Sequence, residues 1–401
     1  MPNLIQKRFT NPETFRKFRP DLLLAWLRQS ESYLKRRGLL LPVDAGAFER
    51  NAFNRGFDFD GLVRVFMEPT PDMPPELVEG LHLVHEMGRP VHVQNMFDGA
   101  QRYGLDLGLG DDATPEDVAL RLLLLDPRVL QDLQNCGVIK RRRAFEYFSA
   151  DTPVLPSFEK PSLEKIRMIE RRLEAFYAAW RKGSGARVFA YCQQRMGHYT
   201  PEWFFLVWHG GFPKREEAME NGQPTTVHFR PRRYAILKYD PARAEMGVYC
   251  SADHEKTILL RVFGRTLFGR ETFFPARAKF NLRPLIERGR LALTWADVPP
   301  IEDVRLTELE FFRRREPWRR VIQQADDLFQ LFERGELFWP RDLTEVTKAT
   351  FTVKFWRQKR PRQLTIVPCN RALYARDEDS PILAKWMEAR EIILPATVIQ
   401  A

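Results

Sequence analysis

Three features of the 401-residue sequence predict an α+β protein. Helical spacing of apolar residues runs through the first 150 positions. After Arg187 the texture changes to short aromatic and β-branched runs separated by turn residues. In the last hundred positions helix-type and strand-type runs alternate. The expected organisation is an α-helical domain over 1–150, a central α+β domain with antiparallel strands over 151–300, and a basic C-terminal α+β module over 301–401.

In the first segment, Asp21 is placed to cap a helix carrying Leu22, Leu23, Trp26, Leu27, Tyr33 and Leu34, with Gly38 as its stop. Pro74 and Pro75 open a second helix through Leu77, Val78, Leu81 and Val84, ended by Gly88. Thr114-Pro115-Glu116-Asp117 precedes the apolar run Leu120 to Leu125, with a cap, a first-turn proline and acidic groups where a helix N-terminus favours them. Three prolines between Ser149 and Pro161 mark a connector.

Ser162 caps the next helix, in which Leu163, Ile166, Ile169, Leu173, Phe176 and Trp180 recur at helical spacing before Gly183-Ser184-Gly185. Strands are expected over Trp203–Trp208, Thr225–Phe229, Tyr234–Tyr239 and Met246–Cys250, with a turn at Asp240-Pro241, then a helix over Lys256–Leu267 and a strand over Val304–Phe312. In the C-terminal segment, Pro317 opens a helix striped by Trp318, Val321, Ile322, Ala325, Leu328, Phe329 and Phe332, up to Gly335. A hairpin of Ala349–Phe355 and Gln363–Val367 comes next, then a helix from Ser380-Pro381. This order of helix, β-hairpin and helix resembles a winged helix at the level of elements alone.

Charge points to function. The formal net charge is +10, but residues 1–150 hold 20 Lys and Arg against 21 Asp and Glu, leaving 43 against 32 over 151–401. A basic excess confined to one part of a chain is the footprint of a phosphate or anionic-surface binder. Four scattered cysteines, Cys136, Cys192, Cys250 and Cys369, form no CxxC pair. No apolar run reaches membrane-spanning length, and MPNLIQKRFTNPETF lacks the order of a secretory signal, so a cytoplasmic protein with no membrane role is expected.

The C-terminal hairpin concentrates the signal. Alternation puts Phe351, Val353 and Phe355 on an inward face and Thr350, Thr352, Lys354 and Trp356 outward, and the connection adds Arg357, Lys359, Arg360 and Arg362. Cations neutralise phosphates while an exposed Trp can stack on bases. Arg313, Arg314 and Arg315, with Arg319 and Arg320, form a second basic run beside the start of the Pro317 helix. Lys140–Arg143 and Arg230, Arg232 and Arg233 are two further clusters.

Catalytic signatures are sparse. His82, His85 and Glu86 share a helix face, but HLVHE is not HExxH, and a surface or interface role is the simpler reading. The sequence contains no GxSxG, and YGLDLGLGDD lacks the Lys-Ser/Thr of a phosphate loop. Asp240 and Glu245 with Lys238, and Glu308 with Glu310, are the carboxylates a metal-dependent nuclease would draw on. The sequence therefore predicts a non-enzymatic nucleic-acid-binding or regulatory protein without cofactor or metal, contacting DNA ahead of RNA. A protein scaffold using the N-terminal helical region is the second reading, and the nuclease the third.

Overall fold

In a computed structural model of the protein, the described residues are 7–42, 50–110, 112–150, 152, 157–193, 201–220, 222–275, 278–313, 319–337, 339, 345–356, 358–375 and 379–394. Mixed helices and a large antiparallel sheet make it α+β, as expected. The chain divides into two compact units, Met1–Val138 and Ile139–Ala401.

The first unit is helical throughout its described residues. Its helices are α1 (Pro12–Arg16), α2 (Pro20–Arg28), α3 (Glu31–Arg36), α4 (Arg50–Gly56), α5 (Phe59–Met67), α6 (Pro75–Met87), α7 (Val93–Arg102), α8 (Pro115–Leu125) and α9 (Pro127–Lys140). The expected capping at Thr114 takes the form of a full capping box. Thr114 Oγ1 accepts the Asp117 N–H at 3.2 Å, while Asp117 Oδ2 accepts the Thr114 N–H at 3.0 Å. The other oxygen of this buried carboxylate accepts the Arg19 N–H at 2.7 Å, so one side chain serves the starts of both α8 and α2.

That bond corrects the reading at Asp21. The residue lies inside the first turn, and the helix expected through Leu34 is two helices broken at Gln29 and Ser30. Trp26 stacks on Phe66 (5.6 Å, 14°) and Phe66 on Phe15 (5.6 Å, 12°), and leucines of α2, α6 and α8 close the core around them.

The second unit is built on one ten-stranded sheet. Its strands are β1 (Ala144–Ser149), β2 (Arg187–Gln193), β3 (Glu202–Gly210), β6 (Arg232–Asp240), β7 (Glu245–Tyr249), β8 (Ile301–Arg313), β9 (Arg319–Gln324), β10 (Glu345–Phe355), β11 (Arg362–Val367) and β12 (Arg371–Leu373). Strands β4 (Lys214–Glu220) and β5 (Gln223–Phe229) form a separate ribbon. The order is β2-β3-β6-β7-β1-β12-β11-β10-β8-β9, with every pairing antiparallel. Strands from the 151–300 and 301–401 stretches thus share a single sheet, joined where β1 meets β12.

Helices α10 (Leu163–Ala179) and α11 (Asp253–Phe268) pack on one face, where Ile169, Leu173, Leu259 and Phe263 meet Phe205, Leu237, Met246 and Val248. Gly269 ends α11 in the left-handed conformation (φ 77°) that favours glycine, and the short α12 (Arg283–Arg288) follows. Cross-strand register carries this face from Val248 through Glu146, Arg371 and Val367 to Thr365 and Thr350. On β10 the opposite face is apolar. Phe351 meets Trp386 of α14 (Ser380–Ala389) edge to face at 5.6 Å, and Trp386 Nε1 donates to Thr294 O at 3.0 Å. The expected alternation along the hairpin therefore holds.

The segment after Pro317 differs from expectation. Pro317 and Trp318 lie outside the described residues, but 319–324 form strand β9, pairing Glu310 with Ile322 and Phe312 with Arg320. The edge of β8 offers a complete hydrogen-bond ladder to a stretch containing β-branched Val321 and Ile322, and that pairing outweighs the helix-like spacing. Helical structure is confined to α13 (Leu328–Glu333), where Asp327 Oδ1 accepts the Phe329 N–H. Nor is the β10–β11 hairpin a free wing, since β8 and β12 pair with its outer edges.

Candidate nucleic-acid interface

The connection between β10 and β11 is folded back on itself. Trp356 N–H donates to Pro300 O at 3.0 Å and Gln358 N–H to Phe355 O at 3.2 Å. Gln358 Nε2 and Arg362 Nη2 both donate to Asp379 Oδ2, at 2.5 and 3.2 Å, and Arg362 Nε donates to Gln358 Oε1 at 3.1 Å. This small network ties the connection to the start of α14 and presents Lys359 and Arg360 to solvent.

Arg143 reaches the same place from the other end of the unit. Its carbonyl accepts the Tyr374 N–H at 3.2 Å, in continuation of the pairing of β1 with β12. The result is an open cleft of about 710 Å³ walled by Arg143, Lys359, Arg360 and Arg362, with Thr352, Gln358 and Gln363 as polar floor. Among the described residues no carboxylate lines it, and the side chains of Arg143, Lys359 and Arg360 have no ion-pair partner.

A second open cleft of about 510 Å³ shares Gln363 with the first. It is lined by Thr307, Gln324 and Thr350, which donate and accept hydrogen bonds, and by the carboxylates of Glu308 and Asp326, which accept them. Thr350 Oγ1 and Thr365 Oγ1 are 3.0 Å apart, and Thr307 Oγ1 donates to Thr350 O at 3.2 Å.

Of the residues expected at the interface, Lys359, Arg360 and Arg362 come together. Lys354 does not join them, because its ammonium pairs with Glu302 at 3.0 Å. Trp356 is 67% exposed on the turn and forms no wall of the cleft. Arg357, Arg314, Arg315 and the side chain of Arg313 lie outside the described residues. Arg320 is paired with Glu310 at 2.6 Å, and its hydrogen bond holds that carboxyl below the usual range.

Three arginines of the other basic clusters are engaged elsewhere. Arg142 lies over the Tyr234 and Tyr249 rings at 4.9 and 5.3 Å, Arg232 over Trp208 at 4.2 Å, and Arg230 donates to Arg181 O at 2.6 Å. Sequence reasoning allowed the Lys140–Arg143 cluster to share a surface with the hairpin but did not single out Arg143, and it did not place Thr352, Gln358 or Gln363 in the site. For Thr352 and Gln363 a signal existed, since outward alternation on β10 with hairpin pairing sets them opposite each other.

The carboxylates considered for metal chemistry are engaged within the chain. Lys238 pairs with Glu202 at 2.7 Å, Glu245 with Lys279 at 2.5 Å and Glu308 with Lys348 at 2.6 Å, while Asp240 Oδ1 accepts the Ala242 N–H at 3.0 Å. His82 Nε2 is 2.9 Å from Gln134 Nε2, and Glu86 pairs with Arg89 at 3.5 Å. Among the described residues no group of three His, Cys, Asp or Glu side chains is arranged to hold a metal ion.

One ionic cluster lies beneath α11. Glu255, 1% exposed, receives His209 Nε2 at 3.0 Å and the Tyr177 hydroxyl at 2.8 Å on Oε1, and the Ser251 hydroxyl at 2.9 Å on Oε2, with Lys182 Nζ 3.8 Å away. The Tyr177 and His209 rings stack at 4.1 Å. Gly210 admits the Lys182 carbonyl so closely that any Cβ there would collide with it. Burial alone would raise the Glu255 pKa, but its bonds to His209 and Tyr177 and the Lys182 charge bring it down to about 2. Burial first, then the Glu255 charge, pushes the Tyr177 hydroxyl far up. Beside this cluster, burial raises the Cys250 thiol to about 11, which makes it a poor nucleophile.

Among the described residues no helix is long and apolar enough to cross a membrane. No protein-family model matches this chain, and a search of curated proteins gave no significant match.

Proposed function

We propose that the protein is a non-enzymatic nucleic-acid binder that contacts phosphate through the cleft of Arg143, Lys359, Arg360 and Arg362. One observation carries the reading: four cations from two distant stretches converge on one cleft with no carboxylate among its described walls. Arginine forks match phosphate oxygens bidentately, and lysine adds a compact charge. Gln358, Gln363 and Thr352 supply neutral donors of the kind that fix a phosphate or sugar in register. The basic excess over 151–401 adds the longer-range attraction that draws a polyanion in.

This reading moves the contact surface away from Lys354 and Trp356 and into the concavity beside them. Duplex DNA is the first ligand to test, with duplex RNA beside it. Fluorescence anisotropy against salt concentration is the measurement. Arg362 is already paired with Asp379 at 3.2 Å, so three neutralised phosphates, one each for Arg143, Lys359 and Arg360, give log Kobs a slope of about −2.7 against log salt for B-DNA, from about 0.9 per phosphate. Absence of binding to either duplex at low salt overturns the proposal.

A further inference from the structure

Resting on the nucleic-acid reading, we infer that the cleft takes a terminal phosphomonoester, the phosphorylated end of a strand, in preference to an internal stretch of backbone. The distribution of uncompensated charge is the reason. A protein that tracks a continuous backbone needs cations spaced along its path, because each internal phosphodiester carries a single charge. Along β8 and β10 such a track is missing among the described side chains, and Arg320 on β9 is paired as well. Arg305 pairs with Asp303 at 2.6 Å, Lys348 with Glu308 at 2.6 Å, Lys354 with Glu302 at 3.0 Å and Arg320 with Glu310 at 2.6 Å.

The unneutralised cations Arg143, Lys359 and Arg360, with Arg362 behind them, face one concavity instead. A focused cluster suits a single group of high charge. A phosphomonoester carries about −1.5 to −2 at neutral pH and offers three strong acceptor oxygens.

The neighbouring cleft suits the nucleoside attached to such a phosphate. It begins at Gln363, which both clefts share, and Gln324, Thr307, Thr350, Glu308 and Asp326 present donors and acceptors suited to the edge of a terminal nucleoside. Among the described residues neither cleft is lined by an aromatic side chain, so polar contacts rather than a stacking platform would hold that nucleoside.

The test uses the full chain and one short DNA duplex prepared with hydroxyl ends, with 5′-phosphates or with 3′-phosphates, and a closed circular DNA as competitor. A phosphorylated end should bind about tenfold tighter than the hydroxyl-ended duplex, equivalent to one additional charge-assisted contact. That preference should shrink as pH falls through about 6, where the monoester dianion takes up a proton and loses one of its two charges. Lys359→Glu with Arg360→Glu should abolish the preference, whereas Trp356→Ala should keep it.

Equal affinity for all three duplexes, with the circle competing site for site, overturns the end proposal and leaves nucleic-acid binding intact. No binding to any DNA or RNA overturns both. Competition by adenosine monophosphate or inorganic phosphate at the same concentration as the duplex keeps a monoester site but overturns its assignment to a strand end.

Discussion

His209 Nε2 lies 3.0 Å from Glu255 Oε1, and both side chains are almost wholly removed from solvent. Their strand and helix, β3 and α11, are thereby joined by a buried polar contact as well as by the apolar contacts around Phe205 and Phe263. Glu255→Ala leaves His209 and Lys182 buried without their acceptor, and breaking a buried pair in this way costs about 3–5 kcal/mol. Urea denaturation should show a lower midpoint of that size, and replacing only the exposed Asp253 should shift it far less.

The same carboxyl gives stability a pH dependence of definite sign. Its pKa in the folded protein is about 2, against an ordinary value of 4.5, so the unfolded chain binds the proton more readily. The contribution is complete above the ordinary value and is lost as pH falls towards the folded one, amounting to on the order of 3 kcal/mol. Urea midpoints measured at successively lower pH should fall across this window in the wild-type protein, and the fall should be shallower in Glu255→Gln.

Charge reversal in the cleft should weaken DNA binding. Arg143→Glu, Lys359→Glu and Arg360→Glu should each reduce the salt slope by about 1, the mark of one lost phosphate contact. Lys354→Ala and Trp356→Ala should leave both affinity and slope unchanged. Anisotropy titrations over a salt series separate these outcomes.

Two packing changes report on the two units separately. Phe351→Ala removes the ring against Trp386 and should cost about 3–5 kcal/mol of second-unit stability. Thr114→Ala removes half of the capping box on α8 and should cost about 1 kcal/mol in the first unit. Calorimetry or denaturation monitored by tryptophan fluorescence measures each.

Elements with strong local signals were legible in the sequence. Ser162 caps α10 as its position implies, with Oγ accepting the Lys165 N–H. Pro75 opens α6 and Gly88 ends it. The hairpin faces came from alternation alone. Partnership across the chain was beyond the reach of local pattern.

Strand β1 sits in a stretch that begins with three arginines directly after a helix, and only pairing with β7 and β12 makes it a strand. Strand β9 was hidden by helix-like spacing for the same reason. The cleft shared this limit, because Arg143 joins Lys359 and Arg360 only through the β1–β12 pairing. Charge counts located the basic residues, but they could not tell Lys354, which has Glu302, from Lys359.

The seam between β1 and β12 also bears on how the protein is made. Ala144 pairs with Leu373 and Glu146 with Arg371, so β1 is completed by a strand synthesised more than two hundred residues after it. At about 5–20 residues per second, roughly ten to forty seconds separate their emergence. Until then the β12 side of β1 has no partner, and Arg143 faces no Lys359. The cleft can therefore assemble only after β10, β11 and β12 have been made and β12 has joined β1.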